Sequence, residues 1–186
     1  MGLIVEISKK PLWDRSVALH EAGHAIAAWI SGSRHIEVAL ANEFRIAYLS
    51  NGKQADDCRA VCSSQIASHE LIDELVISFA GVMAQHLYTG EAPEALLKIA
   101  KGDARDIERA LDEYHRQGAT LEERKIMHDK AYSLSLKLVT RYWWEIIALA
   151  KLLEHHSYLP QNKVSGFLSH FLSLQSPRGI LQELDS

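Results

Sequence analysis

Cysteine is scarce in this 186-residue chain, which has only Cys58 and Cys62. Two thiols cannot supply the four ligands of a closed structural zinc site. Their C-x-x-x-C spacing would put both on one helix face, with His69 close behind, so a small metal site is one reading. Two reduced thiols at a helix start is the plainer one. An excess of basic charge is also missing: 20 Lys and Arg against 24 Asp and Glu leave a formal net charge of -4. Nothing therefore points to nucleic acid or an anionic membrane as the main partner. No apolar run approaches the ~20 residues that cross a bilayer, and no N-terminal stretch joins basic residues to an apolar run and a cleavage site. The expectation is a cytoplasmic protein with no membrane span. Repeats, low-complexity tracts and linkers are absent as well, so the chain reads as a single domain with a core over about 13–175 and a loose tail over 176–186.

What is present is an ordinary globular composition, 47% hydrophobic and 24% charged, and a strongly helical pattern. The clearest helix runs from about Asp14, a good N-cap, to the stop "SGS" at Ser31 to Ser33. Its interior, "VALHEAGHAIAAWI", is apolar nearly all round, which marks a helix buried on most sides. Gly23 and the neighbouring alanines leave room for another element to come close. Residues 35–50 hold two short β-prone segments and read as a hairpin or two strands of a small sheet. Residues 51–65 are polar and read as a loop. An amphipathic helix follows over about 66–88, broken by "TGEAPEA". A third helix is expected to start near Asp103 as its cap and to end at Gly118. Thr120 and Glu123 form a capping box for a long, bent helical stretch over 121–156. Pro160 stops it, and residues 162–174 read as a last short helix. The fold class is mainly α with a small β-sheet or hairpin.

Within the first helix, "HEAGH" places His20 and His24 four residues apart, on one face, with Glu21 one step round. Two imidazoles at this spacing can bind one zinc, and the glutamate can act as general base on an attacking water. The alternative, two buried histidines satisfied by backbone, leaves three polar groups in an expensive setting. A third protein ligand is needed for a catalytic zinc. The candidates are Asp103, Asp106 and His86. Asp103 projects closer to the apolar stripe of its helix, which a capping role would explain, and Asp106 could equally be a partner of the helix dipole. His86 lies on an apolar stripe and reads as a core histidine or as one that supports the site. The aromatic run Tyr142 to Trp144 reads as core or as a subunit contact.

"HEAGHA" (His20 to Ala25) together with "RDIERA" (Arg105 to Ala110) resembles the peptidase domain of FtsH-type ATP-dependent zinc proteases. In that family the HEAGHA helix gives two His ligands and an Asp in a segment like "NDLERAT" gives the third. The resemblance covers roughly residues 13–170 and implies an FtsH-peptidase-like zincin fold, Zn2+ as cofactor, His20, His24 and Asp106 as ligands, and Glu21 as catalytic base. It implies a zinc endopeptidase acting on polypeptides laid along an edge strand, here within 35–50. Where the family has a "GGRAAEEL"-like stretch, this chain has "AGVMAQHL", so two glutamates become Gln85 and His86. The 186 residues carry neither the family's AAA+ module nor its membrane anchor. The expectations are therefore cleavage of unfolded or flexible chains, a partner ATPase in trans as one option, and homo-oligomer formation as a hint from the family. The competing reading is a catalytically silent zinc-bound interaction module.

Overall fold

The computed structural model describes residues 14–50, 52–56, 58–65, 70–172 and 184. Its centre is helix α1 (Arg15–Ile30), buried at every position but Arg15, His20 and Trp29. Asp14 caps it by accepting from the backbone N–H of Ser16 and Val17. The chain leaves the helix at Ser31, and Gly32 takes the left-handed φ of 96° that glycine adopts without strain. The apolar, alanine-rich sequence thus becomes a helix wrapped by others rather than one laid on a surface.

Strand β1 (His35–Leu40) follows, then β2 (Ala47–Tyr48), β3 (Gln54–Ala55) and β4 (Ala60–Gln65). The two strands within 35–50 do not pair with each other. β1 runs antiparallel to β4, from His35 opposite Gln65 to Leu40 opposite Ala60, while β2 pairs with β3 in a separate two-stranded sheet. Residues 51–65, expected to be a loop, therefore contain two strands. Ser63, Ser64 and Gln65 have little intrinsic strand preference; the ladder with β1 and packing against α1 impose the conformation. Cys62 sits in β4 and Cys58 in the connection before it, so neither begins a helix and the one-face reading of the pair fails. His69 lies outside the described residues, as does the start expected for the next helix at 66–69.

Helix α2 (Leu71–Thr89) buries Leu75, Val76, Phe79, Val82 and Met83 as its periodicity predicts, and Gly90 ends it in the left-handed region. The segment expected to be only a break contains a short helix, α3 (Pro93–Ile99), opened by Pro93, whose missing N–H costs nothing at a first helical position. Helix α4 (Lys101–Arg116) has its N-cap at Ala100, three residues earlier than expected. Asp103 is therefore inside the helix rather than its cap. The capping box at Thr120 and Glu123 is formed, opening α5 (Leu121–Arg141). The bend falls at buried Tyr142, before α6 (Trp143–His156); Trp144 is 77% exposed, so the aromatic run is divided between core and surface.

β5 (Tyr158–Leu159) then joins the other side of β1, giving the order β4-β1-β5, and α7 (Gln161–Phe171) begins after Pro160. The tail over 176–186 is outside the described residues apart from Leu184. The fold is mainly helical with a small antiparallel sheet, and α1 lies between α2 and α6 with the inner face of the sheet against it. No helix among the described residues is long and apolar enough to cross a membrane.

Candidate metal centre

α1 and α2 approach so closely that a Cβ on Gly23 would lie 2.6 Å from the Ala80 carbonyl oxygen and 2.9 Å from the Ala84 Cβ. The small residues in "HEAGHA" thus serve backbone proximity as well as helix packing. The same closeness recurs one turn towards the site. A Cβ on Gly81 would fall 2.3 Å from His24 Nε2 and 2.8 Å from His20 Cδ2, so only glycine leaves both imidazoles their room.

His20 and His24 meet with their Nε2 atoms 3.0 Å apart and their rings edge to face. From α4, Asp103 comes within 2.9 Å of His20 Nε2 through Oδ2 and within 3.4 Å of His24 Nε2 through Oδ1. These three side chains are mostly buried, and their ligand atoms lie within 4.8 Å of one another, a group that could hold a metal ion. The outer nitrogens of both rings are committed elsewhere. His24 Nδ1 lies 2.7 Å from the Ile77 carbonyl, to which only an N–H can donate, and His20 Nδ1 lies 3.3 Å from Gln85 Oε1. Both Nε2 lone pairs therefore face inward, towards each other and a carboxylate. Three acceptors cannot share that space without a cation among them, whether protons or a metal.

The electrostatics agree. Burial works against a charged His24, but the adjoining Asp103 carboxylate outweighs it and lifts the pKa to about 9. Burial would raise the Asp103 carboxyl; His24 and His20 overcome that and hold it far below the usual carboxylate range. Glu21, 7% exposed, is raised by burial, with Asp103 adding to the rise and the two histidines opposing it. Its carboxylate accepts the backbone N–H of Cys62 in β4, which ties the helix to the strand. Burial, with the Glu21 and Asp103 carboxylates, pushes the Cys62 thiol well above 9, so it stays protonated in neutral solution.

Asp106, expected as the third ligand, is not in this group. It is about half exposed and lies 3.1 Å from Arg109 on its own helix. The reason is rotational: Asp103 shares the buried stripe of Ile107, Ala110 and Leu111, while a residue three further on is offset by about 60°. His86 is not in it either, since its Nδ1–H donates to the Glu91 carbonyl, 2.7 Å away, beyond the end of α2. Gly81 was not among the expected site residues, although a glycine amid the apolar stripe of a helix is the signal of a close neighbour. Nor was Gln85 expected as the partner of His20; the signal there is its position four residues after Gly81, on the face turned to α1. Compared with protein-family models and with curated proteins, the chain matches none.

Proposed function

We propose that this protein is a zinc-dependent endopeptidase of the FtsH-peptidase type, with His20, His24 and Asp103 as ligands and Glu21 as general base. The observation that carries the reading is the convergence of two imidazole nitrogens, whose ring partners are already held, with the Asp103 carboxylate, beside the buried Glu21. Two His nitrogens and one carboxylate oxygen are a donor set suited to a catalytic zinc with one position left for water or substrate. A zinc ion held there supplies Lewis acidity, polarising a carbonyl oxygen and lowering the pKa of its water to ~7. The chain's own part is proton traffic. Glu21 takes a proton from the attacking water and hands it to the departing amine; burial, by raising its pKa, favours its holding that proton between the two steps.

The edge of the sheet supports a polypeptide substrate. β1 is paired along its length with β4 and at Val38 and Ala39 with β5. β4 is an outer strand of that sheet. Leu40 N–H points to Ser157 and Ala41 N–H to Arg59, so alternate residues of β1 face opposite neighbours. By that alternation Val61 and Ser63 pair with β1, whereas Ala60, Cys62 and Ser64 turn their N–H and C=O outward. Glu21 already accepts the outward Cys62 N–H. An extended peptide added to this edge runs past the general base and the metal group.

The test is Glu21→Gln. It should keep zinc and fold yet lose cleavage of a permanently unfolded polypeptide by about 10²-fold or more, since the amide cannot accept the proton. Undiminished cleavage would remove Glu21 from the chemistry, and cleavage by neither protein would favour a binding role for the same fold.

A further inference from the structure

The support behind His20 is longer than one hydrogen bond. Gln85 Oε1 faces His20 Nδ1 at 3.3 Å, and Gln85 Nε2 donates to Ser16 Oγ at 3.1 Å. Ser16 Oγ in turn donates to Asp14 Oδ1, the carboxylate that also caps α1 by accepting Ser16 N–H at 2.9 Å. Arg59 Nη2 stands 3.8 Å from the other oxygen of Asp14. The chain of bonds has one possible direction. A carboxylate only accepts, so the Ser16 hydroxyl must donate to it and is left with lone pairs for the incoming Gln85 amide N–H. That fixes which way the Gln85 amide is turned, and its carbonyl oxygen must then point at His20. An imidazole nitrogen facing a carbonyl oxygen must carry the hydrogen.

We propose that Gln85 is the positioning residue of the centre: the Asp14–Ser16–Gln85 relay holds His20 with its proton on Nδ1 and its Nε2 lone pair turned to the metal. This rests on the zinc reading for its purpose but not for its geometry. Without the relay, Asp103 Oδ2, 2.9 Å from His20 Nε2, draws the proton to the wrong nitrogen, because an Nε2–H can donate to it. His24 needs no such device, since the Ile77 carbonyl fixes it directly. The relay is peculiar to one ligand. A glutamate at 85 could accept from His20 but could not donate to Ser16, and it would add a negative charge. Gln85 orients the ring without that charge.

The experiment measures His20 by 15N NMR in metal-free protein, and zinc affinity by chelator competition, in wild type, Gln85→Leu, Gln85→Glu and Ser16→Ala. Wild type should show His20 protonated on Nδ1. Gln85→Leu should move the proton to Nε2 and weaken zinc binding about 10–100-fold, the usual scale for loss of a partner behind a ligand. Gln85→Glu should restore the Nδ1–H form. Ser16→Ala, which frees the amide to turn over, should show both forms even if Gln85→Leu does not fold. A His20 spectrum unchanged in Gln85→Leu or Ser16→Ala overturns the relay whether or not zinc binds. A wild type that takes up no zinc but holds the Nδ1–H form supports the relay while removing the metal reading.

Discussion

Asp103 shows most clearly what one residue's surroundings decide. It looks like a cap in the sequence because it precedes an apolar stripe, yet the helix starts at Lys101 and turns its carboxylate onto two imidazoles. The resulting charges make stability depend on pH. His24, raised from 6.5 to about 9, gives the metal-free protein stability that is fully present below 6.5 and is lost as pH rises through about 9. Asp103, depressed, gives stability present above its ordinary value near 3.8 and lost in stronger acid. Glu21, raised, acts in the same direction as His24. Chelator-treated protein should therefore melt at progressively lower temperature from pH 6.5 towards 9, and Asp103→Asn should flatten that dependence. A melting temperature constant across that window would mean that His24 and Asp103 are not coupled.

At the scale of elements, the fold was legible wherever a helix carried its own signal. The Asp14 cap, the all-apolar α1, the stripe of α2 and the capping box of α5 are local, and each formed as the residues indicated. The strand β4 was not legible, because Ser63, Ser64 and Gln65 become a strand only through pairing with β1. For the site, the two histidines were legible from their spacing, and so was the position of Asp103 nearer the stripe of α4; the resemblance of "RDIERA" pointed instead to Asp106, about 60° away round the helix. The α1–α2 contact gives a prediction at this scale. Gly81→Ala should push the imidazoles apart, weaken metal binding and cost about 1–3 kcal/mol through overpacking, partly offset by the better helix propensity of alanine. Gly102→Ala, in the first turn of α4 where an added Cβ meets nothing within 4 Å, should instead be neutral or slightly stabilising. Denaturant melts of the two variants compare them directly, and equal effects would mean that α1 and α2 are not tightly apposed.

At the scale of the whole molecule, the proposed peptidase would act through the β4 edge and the buried Glu21, which an extended chain alone could reach, and opening a folded substrate globally costs ~5–15 kcal/mol. Purified protein without nucleotide should therefore cleave a permanently unfolded form of a substrate much faster than its stable native form; equal rates would contradict an edge-strand mode of binding. All of this depends on one metal held by α1 and α4 together. The most direct measurement is zinc per chain, on purified wild type, Asp103→Asn and Asp106→Asn side by side. The account predicts about one zinc in wild type, a large loss of affinity in Asp103→Asn and wild-type binding in Asp106→Asn, since a ligand contact contributes far more than a half-exposed ion pair. Zinc lost in Asp106→Asn and kept in Asp103→Asn would contradict it, and so would a wild type that binds none.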